Sequence, residues 1–115
     1  MENKLTDNTR NIKNLIKIIE TLRGENGCPW DKKQTPRSIS LYLLEEIYEL
    51  LEAIDSGNPD EVCEELGDVL FHIFFIAALF DETGDFNIKD VTAMIIKNSR
   101  SPTCSTSINA GNKLA

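Results

Sequence analysis

The sequence predicts an all-α protein with the architecture of a four-helix bundle, and three observations support this fold class. Apolar residues recur at three- and four-residue steps in four segments, which is the spacing that places side chains on one side of a helix. Val, Ile and Thr do not form the alternating runs that are typical of strands. The connections between the segments are short, and short connections make neighbouring helices antiparallel.

The first predicted helix spans residues 7–23 and is followed by a loop that contains the chain's single tryptophan, Trp30. Gly24 and Gly27 end this helix, because glycine readily adopts the conformations that terminate helices. A tryptophan in a polar loop usually anchors the loop on the core or lines a pocket. The helix carries one apolar stripe, which consists of Ile12, Leu15, Ile16, Ile19 and Leu22.

The other three predicted helices span residues 36–55, 59–83 and 87–97. The second and third each begin with a polar cap residue followed by proline, which is favoured at the first helical position. Beyond them the composition shifts to Ser, Thr, Asn and Gly. We therefore expect an all-α domain over residues 1–98 and an irregular or disordered tail over residues 99–115.

The charge balance argues against binding to nucleic acid polymers. The chain has 12 Lys and Arg against 19 Asp and Glu, a net charge of -7, whereas nucleic-acid binders carry a basic surface. An acidic protein that handles a phosphorylated substrate needs a cation between the two.

We also expect a cytoplasmic protein without a membrane partner. The polar N-terminus lacks the apolar region of a signal peptide, and the longest apolar stretch, from Val69 to Phe80, is too short to span a bilayer. The three cysteines form no metal-ligand pattern and fit a reducing compartment.

Helical wheels separate the acidic residues of the second and third helices from their apolar faces. The apolar face of the second helix comprises Leu43, Leu44, Ile47, Leu50, Leu51 and Ile54. The apolar face of the third comprises Val62, Leu66, Val69, Leu70, Ile73 and Ala77. The aromatic residues expected in the core or in a dimer interface are Phe71, Phe74, Phe75 and Phe80.

The same acidic pair occurs on both helices, as Glu46 with Glu49 and as Glu65 with Asp68. Residues three apart share one side of a helix, so each pair places two negative charges together. Two such pairs on adjacent helices repel each other, and a divalent cation between them removes the repulsion. Magnesium prefers carboxylate oxygens and keeps positions open for a phosphate ligand. The alternative is a solvated acidic face, which is the commoner outcome for a charge run alone.

Several motifs together resemble the MazG-type nucleotide pyrophosphohydrolases over most of the chain, from about Leu15 to Lys97. The motifs are Gly27-Cys-Pro-Trp-Asp31, Gln34-Thr35, Leu44-Glu-Glu-Ile-Tyr-Glu49, Glu64-Glu-Leu-Gly-Asp68 and Gly84-Asp-Phe86. The resemblance implies a MazG fold completed by dimerisation or higher self-association. It also implies hydrolysis of nucleoside triphosphates to the monophosphate and pyrophosphate, with Mg²⁺ as the metal and Mn²⁺ as a substitute. After Lys97 the resemblance ends, and the basic stretch typical of the family is absent.

The resemblance also implies roles for individual residues. The metal ligands would be Glu46, Glu49, Glu65 and Asp68, and either Glu45 or Glu46 would be the general base. The candidate substrate-binding residues are Trp30, Asp31, Lys32 and Lys97, although anchoring of the loop or exposure to solvent remains an alternative for each. We expect His72 to hydrogen-bond a carboxylate without binding the metal.

Two alternatives to the active enzyme remain open at this point. The first is a catalytically weak, metal-binding relative that acts as a regulatory or dimerisation domain. The second is a purely structural helical dimerisation module, which would gain no stability from a metal, since only a ligand that binds the native state stabilises it.

Overall fold

The computed structural model describes residues 2–99, and it describes side chains from Arg10 onward. Within these residues the chain is helical and has no strand, which confirms the all-α prediction. The helices are α1 (Glu2–Leu22), α2 (Pro29–Lys32), α3 (Pro36–Ser56), α4 (Pro59–Glu82) and α5 (Ile88–Ser99). The predicted tail lies outside the described residues except for Ser99, which is the last residue of α5.

The fold differs from the predicted four helices by the short helix α2, which lies inside the predicted loop. It is a four-residue helix that begins at Pro29 and ends before Lys33. One helical turn is too short to show an apolar period, so periodicity could not reveal it.

Local sequence signals explain why α3 and α4 form a hairpin. The N–H of Ser38 donates to the Thr35 hydroxyl at 3.1 Å, and the N–H of Thr35 donates back to the Ser38 hydroxyl at 2.8 Å. Gly57 closes α3 with a φ of 77°, a left-handed conformation that favours glycine. Asn58 then caps α4 by accepting from the N–H of Asp60 at 2.9 Å. The two-residue link makes α3 and α4 antiparallel neighbours.

The core lies where α1 and the start of α3 meet the second half of α4. Phe75 of α4 is fully buried together with Ile19 and Ile39. Three of the four aromatic residues predicted for the core or a dimer interface lie here, because Phe71 and Phe74 pack against the cluster that contains Phe75. The helix α5 packs against the end of α4, where Phe80 stacks on Phe86 with ring centroids 4.9 Å apart.

The apolar faces of α3 and α4 are only partly buried. Seven of their large side chains remain exposed, and we call them the exposed apolar face: Leu44, Ile47, Leu51, Ile54, Leu66, Leu70 and Ile73. The side of α3 that meets the rest of the described chain is rotated from this face and carries the buried residues Ile39 and Ala53. None of the helices described over residues 2–99 is both long enough and apolar enough to cross a membrane.

Candidate metal centre

The hairpin of α3 and α4 brings three of the predicted metal ligands together. Glu46, Glu49 and Glu65 each offer a carboxylate oxygen, and these three oxygens all lie within 4.8 Å of one another. Glu46 and Glu49 are one turn apart on α3, and Glu65 reaches them from the neighbouring helix α4. A separation of this size allows one cation to contact all three carboxylates.

Two oxygens of this cluster are buried without a hydrogen-bond partner, namely Oε2 of Glu46 and Oε1 of Glu65. Buried carboxylate oxygens without a partner are unfavourable, because the lost hydration is not replaced. A hard cation supplies the missing interaction, since such ions prefer carboxylate oxygens. The donor set therefore fits a divalent metal such as magnesium.

The environment of the cluster opposes ionisation of these carboxyl groups. Burial raises the pKa of Glu46 above its ordinary value of 4.5, and the charges of Glu49 and Asp68 raise it further. Burial likewise raises the pKa of Glu65, and again Glu49 and Asp68 add to the effect. Asp68, the fourth predicted ligand, is therefore close enough for its charge to act on both Glu46 and Glu65.

His72 lies near these carboxylates, but its hydrogen bond differs from the expected one. Its Nδ1 lies 2.7 Å from the backbone carbonyl oxygen of Asp68, whereas we expected a carboxylate partner. In a helix, a side chain and the carbonyl four residues earlier are close enough for this contact. His72 lowers the pKa of Glu46, which opposes the effect of the neighbouring carboxylates.

The predicted substrate-binding residues occupy different surroundings. Trp30 is exposed and meets Tyr42 of α3 edge-to-face, with ring centroids 5.3 Å apart. Asp31 is buried, with 7% of its surface exposed. The Lys32 ammonium donates to the backbone carbonyl of Glu25 at 3.0 Å. Lys97 is exposed in the last turn of α5.

Two residues outside the predicted site organise the loop that carries Trp30. Gln34 is buried, and its amide donates to the backbone carbonyl of Trp30 at 2.8 Å. Arg23 binds three carbonyls of the loop and the carboxylate of Glu82. No sequence pattern indicates this network, because Glu82 lies 59 positions from Arg23.

The raised pKa values predict how the stability of the metal-free protein depends on pH. The native state binds protons at Glu46 and Glu65 more tightly than the unfolded chain does, so stability falls as pH rises through their native pKa values. We therefore expect the thermal midpoint to rise as the pH is lowered from neutrality towards the ordinary carboxyl pKa of 4.5.

Thermal unfolding in the presence of a chelator measures this effect. Glu82 does not interfere, because its pKa is lowered by the Arg23 hydrogen bond and its contribution is lost only below its ordinary value of 4.5. The Glu49→Gln variant lacks one of the repelling charges, so its midpoint should depend less on pH. A midpoint of the native chain that falls steadily over this range would contradict the prediction.

The fold and the cluster define a class of all-α proteins in which carboxylates from two antiparallel helices converge in one acidic cluster. Residues 34–105 match the MazG nucleotide pyrophosphohydrolase domain. This match covers more than half of the 115-residue chain, and the chain belongs to the MazG nucleotide pyrophosphohydrolase domain family.

Three relatives illustrate the similarity. The nucleoside triphosphate pyrophosphohydrolase/pyrophosphatase MazG of Thermotoga maritima is 53% identical over 77 residues, which are 67% of this chain and 30% of the relative. The nucleoside triphosphate pyrophosphohydrolase of Escherichia coli (strain K12) is 47% identical over 85 residues, 73% of this chain and 32% of the relative. The uncharacterized protein YabN of Bacillus subtilis is 55% identical over 74 residues, 64% of this chain and 15% of the relative. The chain therefore spans less than one third of the length of these curated relatives.

Proposed function

We propose that this protein hydrolyses nucleoside triphosphates to the monophosphate and pyrophosphate in a magnesium-dependent reaction. The observation that carries this proposal is the cluster of Glu46, Glu49 and Glu65, with two buried oxygens that have no hydrogen-bond partner. Family membership supports the reaction type, since two of the relatives carry the name of this activity. A cytoplasmic location without a membrane partner belongs to the same proposal. So does the expectation of no nucleic acid partner, which is supported by the net charge of -7.

The proposed roles divide the carboxylates into ligands and a base. Glu46, Glu49 and Glu65 would hold Mg²⁺, with Mn²⁺ as a substitute. Asp68, whose charge acts on Glu46 and Glu65, is the proposed fourth ligand. When bound, the metal neutralises phosphate charge and makes a water molecule more acidic. Glu45 is the better candidate for the general base, because it lies beside Glu46 without being one of the three converging ligands.

The substrate would lie between this cluster and the loop that carries Trp30. An exposed indole offers a face for a nucleobase, and Tyr42 already lies against it. Lys32 is a candidate phosphate ligand, and it would exchange the Glu25 carbonyl for a phosphate oxygen. Asp31 and Lys97 are also proposed as substrate-binding residues.

Pyrophosphate release from a panel of ribo- and deoxyribonucleoside triphosphates, with magnesium, manganese or a chelator, tests the proposal. We expect release only with a divalent metal, and one equivalent of nucleoside monophosphate per pyrophosphate. Folded protein that gains thermal stability from magnesium but releases no pyrophosphate would overturn it and favour the metal-binding regulatory relative. Folded protein that gains no stability from the metal would exclude both.

We also propose that the exposed apolar face mediates homodimerisation. Seven large apolar side chains on two adjacent helices form a patch of the kind that marks protein interfaces. Leu51 lies within it and is 51% exposed. Leu51→Glu would place a charge in the interface, and we expect it to convert the dimer to a monomer or to an unstable chain.

Sedimentation equilibrium of the native chain and the variant measures this prediction. Ile12→Glu is the matched control, because Ile12 is 52% exposed but lies on α1 outside the patch. A native chain that is monomeric at micromolar concentration would contradict the proposal, as would a Leu51→Glu variant with unchanged mass.

A further inference from the structure

The side chain of Arg23, just after α1, connects the end of α4 with the loop that carries Trp30. Its Nε and Nη2 donate to the two carboxylate oxygens of Glu82 at 2.7 and 2.6 Å. Its Nη1 donates to the backbone carbonyls of Asp31, Lys32 and Gln34 at 2.8, 3.2 and 3.2 Å. One guanidinium group therefore binds three backbone carbonyls of the loop and the end of α4.

These contacts use the hydrogen-bonding capacity of Arg23 within the protein. Its side chain is only 14% exposed, and its guanidinium carbon lies 5.9 Å from the centroid of the Phe75 ring in the core. Two parallel bonds to a carboxylate are the strong, directional arrangement that arginine forms and lysine cannot. Most of the five N–H groups of the guanidinium are engaged in these bonds, so Arg23 is suited to hold the loop.

The loop in turn contacts α3, the helix that carries Glu46 and Glu49. The Gln34 amide donates to the Trp30 carbonyl at 2.8 Å and accepts from the Ser38 hydroxyl of α3 at 2.7 Å. The Trp30 ring then meets Tyr42, which lies one helical turn before Glu46 on α3. The position of Trp30 relative to the cluster therefore depends on how the loop is held.

We propose that Arg23, oriented by Glu82, is a positioning residue that sets the place of Trp30 and Lys32 beside the carboxylate cluster for nucleotide binding. This inference rests on the proposed function, because it assumes that the nucleotide contacts the loop. It requires that loss of Arg23 weakens substrate binding more than it slows the chemical step.

Arg23→Lys and Glu82→Gln in the full chain test the inference, with Arg37→Lys on the exposed start of α3 as the matched control. We expect Arg23→Lys to raise KM about tenfold while kcat changes by less than about threefold. Glu82→Gln should also raise KM, but by a smaller factor, because the guanidinium keeps its hydrogen bonds to the loop carbonyls. The thermal stabilisation by magnesium should persist in both variants.

Fluorescence of the single tryptophan provides a readout that does not need activity. We expect the emission of Trp30 in Arg23→Lys to shift to longer wavelength and its quenching by acrylamide to increase, with Arg37→Lys unchanged. Unchanged KM and quenching, or loss of kcat and magnesium binding together, would overturn the inference. If Arg23→Lys does not fold, the KM and the acrylamide quenching of Glu82→Gln test the inference instead. If the native chain releases no pyrophosphate, the proposed function fails, and the fluorescence still decides whether Arg23 holds the loop.

Discussion

Replacing Glu49 by glutamine is expected to lower the rate of pyrophosphate release by at least ~10²-fold, the size of effect seen when one stabilising group is removed from an active site. Among the neighbouring carboxylates, Glu49 raises the pKa of both Glu46 and Glu65 the most, and its carboxylate oxygen lies within 4.8 Å of theirs. The glutamine keeps the size and the carbonyl oxygen but removes the charge that would bind a cation in the proposed site. Stabilisation by magnesium should therefore disappear together with activity.

The stability of the metal-free variant distinguishes a binding role from a structural one. Glu49 repels its neighbours when no metal is bound, so Glu49→Gln should be at least as stable as the native chain in a chelator. If Glu49 had a structural role instead, Glu49→Gln would be less stable than the native chain in a chelator. Activity assays and thermal unfolding with and without magnesium measure both effects.

Glu52→Gln is the control for this experiment. It removes the same charge from the exposed surface of α3, three residues further along, at a side chain that is not one of the three converging ligands. It should keep both activity and the response to magnesium. A Glu49→Gln variant that releases pyrophosphate at the native rate would remove Glu49 from the site.

The helices and the convergence of the carboxylates could be predicted because local signals specify them. Pro36 and Pro59 follow polar caps, and Gly57 ends α3 with the left-handed conformation that its position requires. These signals produce an antiparallel hairpin, and the three-residue spacing of Glu46 and Glu49 then aims both at α4. The roles of these carboxylates in metal binding and catalysis remain predictions.

Other features depend on tertiary contacts that a single sequence does not reveal. A helical wheel identifies Leu44 and Leu51 as apolar, but it does not say whether the chain itself or a second copy covers them. Both are exposed in the single chain. The pairing of Arg23 with Glu82 is likewise invisible, because it joins the ends of two helices that the whole of α3 separates in sequence.

Substituting alanine for Gly27 is expected to destabilise the fold by about 1–3 kcal/mol, the range found when atoms are forced into a filled space. A Cβ at this position would lie 2.2 Å from the carbonyl oxygen of Leu22 and 2.5 Å from that of Thr21. Both are backbone atoms at the end of α1, so neither can rotate away as a flexible side chain could. The Leu22 oxygen also accepts from the N–H of Cys28 at 2.9 Å, so relief of the clash disturbs that bond.

The expected displacement starts three residues before Trp30, so it should also increase quenching of the indole and raise KM. Thermal unfolding, with Gly67→Ala as the control, measures the destabilisation. Gly67 lies within α4, and a Cβ there would meet nothing within 4 Å. Alanine in a helix is favoured over glycine by up to about 1 kcal/mol, so the same substitution should leave stability unchanged or raise it. Equal effects at the two glycines would show that the approach of Gly27 to α1 does not hold the loop, and the position of Trp30 would then depend on Arg23 and Gln34 alone.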